Sequence, residues 1–187
     1  MSQPLLILGI AGSLRRQSLN LGLLQAAQEL APASVRIEIA TLHDIPPYNA
    51  DDDGKSHAGV DAFKQRILAA DAVLFATPEY NHSIPGVLKN AIDHASRPSG
   101  ANAWAGKPAA VMGASPGQFG TARSQYELRK VLAAVGMLVM SAPEVMVTLA
   151  QGKFDEQGAL TDEKTRAHVG KTVQALADWT LRLRGGA

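Results

Sequence analysis

Apolar strand-like runs and stretches with helical spacing alternate five times along this chain, and that alternation limits the fold more than any other feature. Residues 5–10 are almost wholly apolar and run into Ala11-Gly12-Ser13, the pattern of a parallel strand buried on both faces. A helix is predicted from about Ser18, with Leu19, Leu23, Ala26 or Ala27, and Leu30 on one side and Pro32 closing it. Residues 35–40 read as a second strand, followed by a polar, proline-rich loop over 43–58. Val60, Phe63, Ile67 and Ala70 mark the next helix, 72–76 a third strand, and Val87, Ala91 and Ile92 a helix starting near Gly86. A fourth strand is expected at 108–113, and a helix through Leu128, Val131, Leu132 and Val135 ends near Gly136. Residues 137–140 fit a fifth strand, 143–159 an irregular stretch, and the last helix is placed from about Thr161 with Asp162 and Glu163 in its first turn. Such alternation builds a parallel sheet with helices on both faces, and 187 residues without a linker or repeat fit one domain.

Composition narrows the chemistry. The chain has no cysteine, which removes disulfides, thiolate nucleophiles, iron–sulfur clusters and zinc–thiolate sites. A formal net charge of +1 argues against nucleic acid as a partner, which calls for clustered lysine and arginine. The apolar run near the N-terminus has no basic flank and falls far short of the roughly 20 residues a membrane span needs. The expectation is a cytoplasmic protein with no membrane partner.

In an open α/β sheet, ligands bind beyond the carboxyl ends of the strands, where strand order reverses. Three loops qualify. The first carries Gly12, Ser13, Arg15, Arg16, Gln17, Ser18 and Asn20 and feeds straight into a helix. Free N–H groups and the positive dipole end of that helix favour an anion, which Arg15 or Arg16 would bind with charge assistance. Neither the Gly-Lys-Ser/Thr of a Walker loop nor the G-x-G-x-x-G dinucleotide fingerprint is present. An ordinary turn with Ser18 as helix cap is the alternative reading. In the second loop, Pro78, Pro85 and Gly86 stiffen the backbone around Glu79, Tyr80 and Asn81, so that its N–H groups can address a planar heterocycle with Tyr80 stacked on it or flanking it. The third, 114–120, has two glycines that let a ligand approach the backbone closely, although alone it reads as a plain strand-to-helix connection.

The run GSLRRQSLN followed some 60 residues later by TPEYNHSIPGVLKNAID resembles the NADPH-dependent FMN reductase family, and within it the bacterial quinone and chromate reductases. The resemblance spans nearly the whole chain. It implies a flavodoxin-like, three-layer, doubly wound α/β fold with a five-stranded parallel sheet in the order 2-1-3-4-5. It implies an FMN-dependent oxidoreductase that takes hydride from NADPH or NADH and passes it to a small acceptor such as a quinone, chromate or free flavin. The FMN phosphate would lie on residues 13–20, that is Ser13, Arg15, Arg16, Gln17, Ser18, Leu19 and Asn20, with Ser13, Arg15, Ser18 and Asn20 as the main side-chain donors. Pro78, Glu79, Tyr80 and Asn81 would follow the isoalloxazine ring, and Ser115 would add a further flavin contact. No catalytic side chain and no metal are implied. Family members form dimers and tetramers, and the stretch 120–126 with Glu144 resembles the part that meets a neighbouring subunit, so a homotetramer or homodimer is expected.

The remaining polar residues have plainer readings. His82 reads as a solvated loop residue, and Lys89 and Arg97 as surface cations, the rival role being the phosphates of NADPH. His94 lacks a second histidine one turn away, and Asp51–Asp53 lacks the ligand spacing of a calcium loop. Trp179 is assigned to the buried face of the last helix. Two other functions compete: a flavodoxin-type electron carrier without turnover, which the charge of +1 disfavours since such carriers are commonly acidic, and a non-enzymatic regulator on the same scaffold.

Overall fold

The computed structural model describes residues 3–185. Strands β1 (Leu5–Ala11), β2 (Val35–Ala40), β3 (Ala72–Ala76) and β4 (Pro108–Ala114) alternate with helices α1 (Leu19–Glu29), α2 (Ala58–Ala69), α3 (Gly86–Ser96) and α4 (Ala122–Ala134). Strands β5 (Leu138–Val139) and β6 (Val145–Val147) and helix α5 (Glu163–Gly185) complete the chain. All strand pairings are parallel, in the order β2-β1-β3-β4-β5 that the resemblance implied, with Gly9 opposite Ile39 on one side and Leu74 on the other.

The sheet edge departs from expectation. The predicted fifth strand, 137–140, shortens to the two-residue β5, and a further strand, β6, follows it. β5 pairs with the start of β4 at Pro108 and Ala109, the chain leaves the sheet over 140–144, and β6 rejoins alongside Met112 to Ala114. Among the described residues the sheet thus has six segments, and part of the stretch read as irregular is a strand. Val145-Met146-Val147 is too short for periodicity to separate it from a loop, so only pairing with β4 defines it.

Successive side chains of a strand point to opposite faces, and the core divides accordingly. On one face Ile7, Leu74 and Met112 pack against Leu23, Leu24 and Ala27 of α1 and Val169, Val173 and Leu176 of α5. On the other, Leu8, Ile10, Val73, Phe75 and Val111 meet Phe63 and Ile67 of α2, Leu88 and Ile92 of α3, and Leu128 and Leu132 of α4. Strands covered on both faces must be apolar at nearly every position, which is why β1, β3 and β4 read as unbroken apolar runs. Trp104 is fully buried between Phe63 and Phe75, its indole N–H donating to the Ile92 carbonyl at 3.0 Å. Trp179 packs against the first of these cores, on the face the helical pattern indicated, but is not fully covered. It is half-buried on the sheet edge, where its indole N–H donates to the Leu138 carbonyl at 3.0 Å.

The consequence for function is geometric. β1, β3 and β4 lie side by side and point the same way, so the loops that follow them emerge together at one edge.

Candidate functional site

That edge holds a cleft of about 80 Å³ built from the three loops. Ser13, Arg15, Ser18, Leu19 and Asn20 come from the first, Pro78, Glu79 and Tyr80 from the second, and Ala114, Ser115 and Pro116 from the third. Nine of the twelve residues singled out in the sequence therefore line one cleft; Arg16, Gln17 and Asn81 are exposed beside it. Ala114 and Pro116 were not singled out, though both flank a residue that was.

The first loop is set by space and by its cap. Gly12 donates its N–H to the Ala76 carbonyl at 2.9 Å, and a Cβ there would sit 3.2 Å from that oxygen and 3.3 Å from the Thr77 Cα. Close approach to β3 is what calls for glycine here. Ser18 caps α1, its hydroxyl oxygen accepting from the Leu21 N–H at 3.4 Å. Among the described residues the N–H groups of Leu19 and Asn20 have no acceptor. They are orphan donors of the first helical turn, lie in residues lining the cleft, and carry the positive end of the helix dipole.

Asn20 departs from its expected role. It is only 2% exposed, and its side-chain amide is paired with one backbone unit: Nδ2 donates to the Ala114 carbonyl at 3.0 Å, and Oδ1 accepts from the Ala114 N–H at 2.9 Å. The side chain is a brace between α1 and the end of β4, and the group of Asn20 left without an acceptor among the described residues is its backbone N–H. Ser13 is similarly engaged, accepting from the Arg15 N–H and lying 3.3 Å from the Tyr80 hydroxyl, which joins the first loop to the second.

The second loop turns tightly. Tyr80 and Ser83 exchange backbone hydrogen bonds of 3.0 Å, with Asn81 at φ 50° and His82 at φ 67° between them. Two consecutive left-handed residues make the tight turn that suits asparagine at its first central position. Asn81 is thus explained by backbone conformation; its side chain does not line the cleft, contrary to expectation. His82 is exposed, as its plain reading had it. Tyr80 remains 45% exposed at the cleft mouth. In the third loop, Ser115 accepts from the Gly117 N–H at 3.0 Å and donates its own N–H to the Val147 carbonyl, which makes β6 part of the site's support.

The Glu79 side chain turns away from a ligand role. One carboxylate oxygen accepts the N–H groups of Arg123 (3.0 Å) and Ser124 (3.3 Å), the other accepts Arg123 Nε at 2.5 Å, and the Arg123 guanidinium completes an ion pair. Burial pushes this carboxyl up, and the bonds from Arg123 and Ser124 together outweigh it, so the group titrates below its ordinary value. Sequence reasoning missed Arg123 and Ser124 as partners of the loop, because they stand 44 and 45 positions away. Of the surface cations, Lys89 is paired with Asp93 at 2.8 Å.

Comparison with known proteins agrees with this geometry. Residues 5–152 match the NADPH-dependent FMN reductase family. The chain belongs to that family. A Pseudomonas aeruginosa protein named NAD(P)H-dependent FMN reductase is 50% identical over 186 residues, covering 99% of this chain and 100% of its own. A Pseudomonas putida quinone reductase is 42% identical over 182 residues, covering 96% of each. The solved structure of FerB, a flavoenzyme NAD(P)H:(acceptor) oxidoreductase from Paracoccus denitrificans, superposes with a TM-score of 0.85 at 44% identity, over 95% of this chain and 97% of that one. The chain is therefore an oxidoreductase of NAD(P)H and FMN, with the flavodoxin-like fold of this family.

The cleft fits that cofactor. The free N–H groups of Leu19 and Asn20, the Ser18 hydroxyl and the Arg15 guanidinium are the donor set a phosphate dianion requires. Beside it the backbone N–H of Glu79 has no acceptor among the described residues, leaving it free for a ring carbonyl or nitrogen.

Proposed function

We propose that this chain catalyses the oxidation of NADPH or NADH with a quinone as the electron acceptor, using FMN held in the three-loop cleft. The observation that carries the reading is the convergence of an uncapped pair of helix N–H groups, an arginine and a rigid proline–tyrosine loop on one edge of the sheet. Ser13, Arg15, Ser18, Leu19 and Asn20 hold the phosphate, Leu19 and Asn20 through their N–H groups. Arg16 and Gln17 border it in solvent. Pro78, Glu79 and Tyr80 present backbone and one aromatic ring to the flavin, Asn81 shapes their turn, and Ser115 supports the opposite wall. FMN bound there would supply the hydride chemistry that links the nicotinamide to the acceptor. The protein's own part is to orient, to exclude water and to supply N–H donors, and the reading assigns no catalytic acid or base.

The relatives named as quinone reductases support the choice of acceptor, and chromate or free flavin are served by the same exposed cleft mouth. We further take residues 1–187 as one FMN-binding domain acting in the cytoplasm as a homodimer or homotetramer, without nucleic-acid or membrane partners. Exposed Phe119, Tyr126 and Leu149 support association, and among the described residues no helix is long and apolar enough to cross a membrane. Steady-state oxidation of NADPH and of NADH with benzoquinone, run beside free FMN at equal concentration, tests the reading. Turnover well above free FMN is expected. Turnover equal to free FMN, with flavin bound, would make the chain an electron carrier, and failure to take up FMN would make it neither.

A further inference from the structure

The capping of α4 is unusual in its source. Its N-cap residue, Thr121, is in the left-handed region at φ 71° and makes no side-chain cap, so the helix start depends on a distant group. Glu79 provides it from the second loop, through the Arg123 and Ser124 N–H groups. Its side chain is only 6% exposed. A neighbouring serine or aspartate would cap a helix without desolvating a carboxylate, and local residues do so for α1. The distant carboxylate achieves something a local cap does not, which is to join α4 to the cleft loop.

Two hydroxyls strengthen the join. The Ser124 hydroxyl donates to the Pro78 carbonyl at 2.9 Å, the Thr77 hydroxyl bonds the same carbonyl at 2.9 Å, and the two hydroxyls lie 3.2 Å apart. Thr77 and Ser124 are both fully buried. The Arg123 guanidinium lies 4.4 Å above the ring of Phe119 in the third loop. Carboxylate and guanidinium therefore form a neutral pair that ties the second loop, the third loop and the start of α4 into one unit.

We propose that Glu79 is a positioning residue: paired with Arg123, it locks the Pro78–Tyr80 backbone onto α4 and keeps uncompensated charge away from the flavin ring. The proposal rests on the FMN reading above. Its signature is that breaking either partner loosens FMN, while the two breaks leave opposite charges behind. Glu79→Gln leaves an unpaired cation, which favours the more negative reduced flavin and raises the midpoint potential. Arg123→Ala leaves an unpaired carboxylate and lowers it.

The test uses the full-length chain, with FMN affinity read from quenching of flavin fluorescence and the midpoint potential from equilibration with reference dyes. Each variant is expected to weaken FMN binding by about tenfold, the scale of one lost charge-assisted bond, with potentials moving in opposite directions. Asp162→Ala is the control: it removes the carboxylate that accepts the Thr165 N–H at the start of α5, remote in sequence from all three loops, and should lower stability while leaving both readouts unchanged. Glu79→Ala should raise amide exchange at Tyr80 and Ser83, and Glu79→Gln, which keeps an acceptor, should restore part of the protection. If Glu79→Ala does not fold, Glu79→Gln and Arg123→Ala decide alone. Wild-type affinity and potential in both variants, or shifts of the same sign, overturn the clamp. Wild-type protein that takes up no FMN overturns instead the reading on which the clamp rests.

Discussion

Replacing Asn20 with alanine separates two roles that the first loop's sequence leaves indistinguishable. The side-chain amide closes a two-bond ring with the backbone of Ala114, at 2.9 and 3.0 Å, joining positions 94 apart in a region where both residues are 2% exposed. Alanine leaves one N–H and one C=O at the end of β4 without partners. An orphaned buried polar group costs about 1–3 kcal/mol. Water can reach Ala114 from the cleft side, which it lines, so the two together should cost about 2–4 kcal/mol. In a chain of this length that corresponds to a fall in Tm of roughly 5–15 °C. Urea unfolding of the FMN-free protein, followed by the fluorescence of buried Trp104 and by circular dichroism, measures the loss directly. Asn20→Asp extends the test: its carboxylate still accepts the Ala114 N–H but sets an oxygen against the Ala114 carbonyl and a charge beside the phosphate site. It should bind FMN more weakly than Asn20→Ala. A stability loss below about 0.5 kcal/mol, the scale of a neutral surface change, together with a large loss of FMN affinity, would refute this reasoning and return the Asn20 side chain to the phosphate.

Three further outcomes follow from the same contacts. Gly113→Ala would place a Cβ 2.4 Å from the Thr77 carbonyl oxygen and 2.0 Å from the Thr121 hydroxyl, so an unfolding free energy lower by about 1–3 kcal/mol is expected from urea titration. Ser18→Ala removes the α1 cap and one phosphate donor; about 1 kcal/mol of stability should be lost, and FMN affinity measured by fluorescence should fall as well. Glu79 titrates below its ordinary value in the folded state, so its contribution to stability is complete above the ordinary carboxylate range and is lost as pH falls through the lowered folded value. Urea midpoints between neutral pH and pH 3 should therefore decline less steeply in Glu79→Gln than in the wild type, and parallel curves would exclude the ion pair as the source.

Much of the fold was legible because its signals are local. Buried parallel strands are apolar at successive positions, and Leu5–Ala11 and Ala72–Ala76 announce themselves without reference to the rest of the chain. The broken edge strand was not legible, since Val145–Val147 becomes a strand only by pairing with Met112 to Ala114. Trp179 is less covered than its pattern indicated for a related reason: helical spacing identifies a face, and how far the rest of the fold covers that face is a tertiary property.

The sequence by itself determined the alternation of strand and helix, the absence of thiol chemistry, and which three loops gather at the cleft, because periodicity and turn residues act over a few positions. Only the tertiary structure decided which polar groups there remain free. Asn20, Glu79 and Ser115 belong to the same motifs as Arg15 and Ser18, yet the Asn20 and Glu79 side chains and the Ser115 N–H are engaged with Ala114, with Arg123 and Ser124, and with Val147. A buried polar group must find a partner, and here those partners stand 32 to 94 positions away, so no local reading could separate scaffold from ligand site.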